Sequence, residues 1–125
     1  MGTISVYLCD DVAAMRLVVR TVLELEEGIA VVGEAGDGRT AIAEVARLRP
    51  DVLVLDLSLP ELDGLEVLEA LESAAPATRV VVFSGYPSRQ LEEAALARGA
   101  RRYIEKGTAI EAISRAVREV AAEAA

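Results

Sequence analysis

Histidine is absent from these 125 residues, cysteine occurs once, at Cys9, and lysine once, at Lys106. With no imidazole and a single thiol, the chain lacks the nitrogen and sulfur donors that favour zinc or copper, so any metal site would be built from oxygen. One cysteine forms no internal disulfide, and the apolar residues around it predict a buried structural thiol in a reducing cytoplasm. No apolar run reaches the ~18 residues of a membrane span. The N-terminal Met-Gly-Thr-Ile-Ser has no basic segment followed by an apolar one, so no secretory signal is expected. Positive charge is also short: the formal net charge is −8 and the pI about 4.6, which argues against direct nucleic acid binding by this chain. Aromatics make up 3% against 53% apolar residues, so the core must be built from Val, Leu, Ile and Ala. The length fits one domain, residues 1–125, large enough to bury a real core and fold alone.

Of the 13 basic residues, Lys106 alone is not arginine. Coding biased toward arginine explains the rest. The surviving lysine is then either chance or a place where a compact ammonium serves and a planar guanidinium does not. Composition leaves both open.

The apolar pattern predicts five strand-then-helix units. Strands are expected at residues 3–9, 29–35, 51–56, 79–84 and 101–104. Helices are expected at 13–26, 39–48, 65–73 and 89–98, with a last one capped by Thr108 and running to the terminus. Met15, Val18, Val19, Val22 and Leu23 give the first helix its apolar spacing. Arg49-Pro50 ends the second, because a residue before proline resists helical angles, and Gly99 suits a helix C-terminus. Strands apolar on both sides and alternating with helices imply a parallel sheet covered on both faces. Right-handed crossovers make the economical α/β topology doubly wound, five-stranded and flavodoxin-like, in the order 2-1-3-4-5. Such sheets place ligands at the carboxyl ends of the strands.

The residues expected at those ends carry chemistry. Asp10 and Asp11 follow strand 1, Asp56 follows strand 3, Ser84 ends strand 4, and Lys106 follows strand 5. A single polar residue at a strand end is usually only solvated; four strand ends agreeing is harder to dismiss. Three converging carboxylates repel and raise at least one pKa unless a cation joins them. A carboxylate-rich, all-oxygen site suits Mg²⁺ or Mn²⁺. Metal and lysine together would neutralise the carboxylates and help hold a phosphoryl group, whose transfer needs positioning and charge neutralisation. A carboxylate can be its nucleophile.

With these residues in place the chain resembles, from end to end, the receiver domain of bacterial two-component response regulators. The motifs are the pair Asp10-Asp11, Asp56 with Pro60 and Gly64 following at four-residue steps, Ser84, Tyr103 and Lys106. The resemblance implies that Asp56 accepts a phosphoryl group from a sensor histidine kinase. It implies that Asp11, Asp56 and the backbone carbonyl of Ser58 hold Mg²⁺ directly, and that Asp10 acts mainly through water. Lys106 would pair with the acyl phosphate and Ser84 would hydrogen-bond it, with Tyr103 swinging inward. The surface of the fourth helix, fifth strand and fifth helix would then change for partners.

The sequence departs from the family in one place: Gly107 stands where proline usually follows the lysine. Ser58 and Tyr86 occupy the variable positions flanking the phosphate. A receiver-like interaction module working without phosphate is the alternative reading. A flavodoxin would want a Ser/Thr/Gly-rich loop where Asp10-Asp11-Val-Ala-Ala stands, and an aspartyl phosphatase a carboxylate where Ser58 stands. Val31 to Gly38 and Arg49-Pro50-Asp51 resemble receivers that precede a helix-turn-helix output domain, which these residues do not include; the chain is a stand-alone regulator or part of a longer one. Arg98, Arg101 and Arg102, set against Glu92, Glu93, Glu111 and Glu119, suggest either intersubunit pairs in a homodimer or solvated surface charge.

Overall fold

A computed structural model describes residues 2–60, 62–85 and 88–123. Tyr86 lies outside them, as does Pro87. The elements in order are β1 (Ile4–Cys9), α1 (Ala13–Glu24), β2 (Ile29–Ala35), α2 (Gly38–Leu48), β3 (Val52–Leu55), α3 (Gly64–Ala74), β4 (Arg79–Ser84), α4 (Arg89–Ala97), β5 (Ala100–Glu105) and α5 (Glu111–Ala122). The strands form one sheet in the order β2-β1-β3-β4-β5, and every pairing is parallel. This is the expected doubly wound arrangement.

Alternation along the central strands divides the core in two, because successive strand residues point to opposite faces. Tyr7, Cys9, Leu53, Leu55, Val80 and Val82 pack with Ala41 and Val45 of α2, Val67 and Leu71 of α3 and Ala95 of α4. Val6, Leu8, Val52, Val54, Val81 and Phe83 pack with Val19 and Leu23 of α1 and Ile113, Val117 and Val120 of α5. Both faces are covered, which is why β3 is apolar without interruption. In the first helix Val18 departs from the expected stripe and is exposed.

Several boundaries differ from the sequence expectation. Strand β3 ends at Leu55, so Asp56 stands one residue beyond it, its backbone N–H still donating to Cys9 O at 2.9 Å. Helix α2 stops at Leu48 as expected, and Arg49 takes the left-handed conformation with φ 51°. Gly99 also has a positive φ, 102°. Thr108 does not cap the last helix. Its N–H closes a turn onto Glu105 O, and α5 begins at Glu111 after Ile110, with no side-chain cap. The loop after Lys106 therefore turns first and enters the helix at Glu111, three residues after Thr108.

Candidate functional site

Three crossovers deliver chemistry to the carboxyl edge of the sheet. Strand β1 carries Asp10 there, and Asp10 N donates to Ala35 O of β2 at 3.1 Å. Strand β3 carries Asp56, anchored to β1 by its backbone. Strand β5 carries Lys106, whose N–H donates to Ser84 O at the end of β4 at 2.8 Å. These are ladder-type bonds continued one residue past the strands, so the sheet itself sets the positions of the three side chains.

The side chains meet. Lys106 Nζ lies 2.8 Å from Asp10 Oδ2 and 3.2 Å from Asp56 Oδ2, and 5.8 Å from the centre of the Phe83 ring. Asp10 is 7% and Asp56 4% exposed. The other oxygen of each carboxylate is held by backbone: Val12 N donates to Asp10 Oδ1 at 2.9 Å and Ser58 N to Asp56 Oδ1 at 3.1 Å. Asp11 is exposed, yet it, Asp10 and Asp56 each offer an oxygen within 4.8 Å of the others. That separation suits one hard divalent cation, whose oxygen ligands at about 2.1 Å lie roughly 3 to 4 Å apart around it. The donor set is oxygen alone, as the composition required.

The electrostatics follow from this crowding. Burial raises the Asp56 carboxyl above its ordinary range and Asp10 adds to the rise, while the Ser58 N–H and Lys106 oppose it. Burial by itself would lower the Lys106 pKa, but its hydrogen bond to Asp10 and the charge of Asp56 outweigh it, so the net shift is upward and the ammonium is kept charged. Two uncompensated negative charges remain among the three carboxylates and one lysine. Cys9, beneath the site, is buried; burial first, then Asp37, Asp10 and Asp56, push its thiol up to about 12. It is the inert thiol the sequence predicted, donating to Asp37 O at 3.6 Å.

The remaining expected residues stand nearby or apart. Ser84 is fully buried at the end of β4 and joins the group through the backbone bond to Lys106. Ser58 is exposed and touches Asp56 through its N–H. Tyr103 pairs in register with Val82 and is half-buried against the α2–α3–α4 side of the core, three residues before Lys106. The arginines read as possible intersubunit groups are engaged within the chain. Arg98 pairs with Glu69 at 2.8 Å, Arg101 with Glu123 at 2.7 Å, and Arg102 with Glu123 at 3.0 Å and Glu119 at 3.9 Å. One contact escaped the sequence reading: Arg16 of α1 donates from Nη1 to Asp10 O at 2.6 Å. The only sequence signal was the pair Arg16 and Arg20 at helical spacing.

Comparison with known proteins agrees with this geometry. The family model described as response regulator receiver domain matches residues 6–118. Over 111 residues the chain is 51% identical to protein-glutamate methylesterase/protein-glutamine glutaminase 5 of Myxococcus xanthus, covering 88% of this chain and 32% of that protein. It is 35% identical to the nitrate/nitrite response regulator NarL of Escherichia coli K12, covering 94% of this chain and 55% of that protein. The chain thus spans about a third to a half of these curated relatives. Among solved structures, the signal receiver domain of NarL from Mycobacterium tuberculosis superposes with a TM-score of 0.91 at 32% identity, covering 97% of this chain and 98% of that one. The five-stranded parallel sheet, the acidic edge with its lysine and the match over residues 6–118 lead to one conclusion: the chain belongs to the receiver domain family of two-component response regulators.

Proposed function

We propose that this receiver is a phosphoacceptor switch in which Asp56 takes a phosphoryl group from the phosphohistidine of a sensor histidine kinase. The observation that carries the reading is the shared ammonium: Lys106 bridges two buried carboxylates, and a third lies within ligand reach. A cluster so short of positive charge costs stability unless a dication completes it. Asp11, Asp56 and the backbone carbonyl of Ser58 would hold Mg²⁺ or Mn²⁺. Asp10, which accepts from Val12 N–H and Lys106, would act mainly through water, as in the family the chain belongs to. The metal's contribution is to neutralise charge on the phosphoryl oxygens.

An Asp56 oxygen attacks phosphorus, the phosphorus–nitrogen bond to the kinase histidine breaks, and the imidazole nitrogen leaves with the bonding electrons. The product is an acyl phosphate on Asp56. Lys106 turns from Asp56 to a phosphoryl oxygen, and the Ser84 hydroxyl donates to another. Tyr103, half-buried on β5, follows Ser84 and changes the surface of α4, β5 and α5. That surface then controls a partner or an attached output domain. The histidine kinase is the upstream partner.

The test is intact mass after incubation with a small-molecule phosphodonor and Mg²⁺. One phosphoryl adduct is expected on the unmodified chain and none on Asp56→Asn. No adduct would favour a receiver-like module that works without phosphate, and an equal adduct on the variant would place the phosphoryl group on another residue and sink the assignment of Asp56.

A further inference from the structure

The loop that carries Asp10 and Asp11 is held by more than its own sheet. Two like charges at its tip favour spreading, and Asp11 is exposed, so the shape of the loop must be fixed by its backbone. Asp10 N donates to Ala35 O at 3.1 Å, and Asp10 Oδ1 accepts from Val12 N at 2.9 Å. The carbonyl of Asp10, which sits between these two bonds, accepts from Arg16 Nη1 at 2.6 Å. The guanidinium is fixed in turn. Its Nε lies 2.8 Å from Glu34 Oε1, and Arg20 Nη2 lies 2.8 Å from Glu34 Oε2. Arg16 is only 18% exposed. The space for it depends on Gly36, where a Cβ would come within 3.3 Å of Arg16 Nη1.

We propose that Arg16 is a positioning residue for the acidic cluster, clamping the Asp10 carbonyl so that the Asp10 and Asp11 carboxylates are presented as a preformed oxygen site for a divalent cation. This rests on the reading of the cluster as the Mg²⁺ site. Only a fork serves, because one arm must hold Glu34 while the other reaches the carbonyl. The sign of the effect separates the clamp from simple electrostatics. Removing a cation from beside three carboxylates by itself strengthens dication binding. Loosening the loop weakens it, because supporting groups behind ligands are typically worth about 10-fold or more in metal affinity.

The experiment is calorimetric titration of the unphosphorylated chain with Mg²⁺, repeated on Arg16→Met, Arg16→Lys and Arg98→Met. Arg16→Met should bind Mg²⁺ about 10-fold more weakly, and Arg16→Lys, which keeps the charge and loses the fork, should also bind more weakly. Arg98→Met removes the same charge from a pair with Glu69, just before β5 and away from the carboxyl edge, and should bind as the unmodified chain does. In phosphorylation assays the Mg²⁺ concentration for half-maximal rate should rise in Arg16→Met while the rate at saturating Mg²⁺ stays near that of the unmodified chain. A general loss of structure does not produce that split. Unchanged or tighter Mg²⁺ binding in Arg16→Met, or equal weakening in Arg98→Met, overturns the proposal; if Arg16→Met fails to fold, Arg16→Lys decides by the same criterion. If the unmodified chain binds no Mg²⁺, the reading of the cluster has failed and the clamp falls with it, an outcome distinct from unmodified binding with an indifferent Arg16.

Discussion

At Gly64 a side chain would run into the backbone that carries Asp56. A Cβ there would stand 2.5 Å from Leu57 Cα and 3.0 Å from Asp56 O, and Gly64 N donates to Leu57 O at 3.0 Å. The first residue of α3 thus packs directly on the segment leaving β3, and glycine is needed for closeness rather than for an unusual φ. Gly64→Ala must push that segment aside, at a cost of about 1–3 kcal/mol typical of overpacking. Since the displaced segment holds Asp56 and Ser58, phosphorylation should slow even at temperatures where the variant is fully folded. Urea denaturation and adduct formation followed by mass measure the two effects; an unchanged phosphorylation rate in folded Gly64→Ala would show that the loop relaxes without moving Asp56. Asp10 and Asp56 were legible in the sequence because each directly follows an apolar strand, and Lys106 because it is the one lysine and follows the last strand. Arg16 was not, because its partner is a backbone carbonyl whose direction depends on the path of a loop. The intrachain partners of the β5 arginines were hidden for a similar reason: Glu123 reaches Arg101 only once α5 has folded back along the sheet.

Helix starts show which sequence signals survive folding. Asp63 accepts from Glu66 N at 3.0 Å and Glu66 Oε1 accepts from Asp63 N at 3.3 Å, a reciprocal capping box at the entry to α3. Asp37 caps α2 by accepting from Thr40 N at 2.8 Å. Thr108 has the right residue type for the same task, yet its N–H is spent in a turn onto Glu105 and α5 starts three residues later. The hydroxyl signal was local, while the helix start was set by the burial of Ile113, Val117 and Val120 against the sheet. Asp63→Ala should therefore lower stability by about 1 kcal/mol, whereas Thr108→Ala should leave it nearly unchanged. Chemical denaturation of the two variants checks this, and a comparable loss in Thr108→Ala would restore the cap that the residue type suggested. The strands were easier to place than the helix ends, because continuous apolar runs such as Val80 to Phe83, short and rich in β-branched residues, fill both sides of a covered sheet.

Across the whole molecule, folding gathers negative charge at one edge, in a chain whose net charge is already −8. Asp56 has a raised folded pKa, chiefly from burial, so its ionised form costs stability at neutral pH, and the cost fades as pH falls toward the ordinary carboxylate value of about 3.9. Glu34 has the opposite sign. The Arg16 hydrogen bond, with Arg20, lowers its pKa against the effect of burial, so its stabilisation is present above the ordinary value and is lost as pH falls through the depressed one. Comparing the unmodified chain with Asp56→Asn at each pH cancels the Glu34 contribution and isolates Asp56. Without metal, Asp56→Asn should melt higher at pH 7, and the difference should shrink near pH 4. Mg²⁺ should reverse the order. At a free concentration 100 times its Kd, a cation bound only by the folded state adds about 2.7 kcal/mol, on the order of 10 °C for a domain of this size. The variant, lacking one carboxylate of the proposed site, should gain much less. Calorimetric melting with and without Mg²⁺ at the two pH values reads all four quantities. A metal-free Asp56→Asn that melts lower at pH 7 would mean that the Lys106 pairing outweighs the burial of Asp56, and the edge would then be a balanced structural ion pair with no need of a dication.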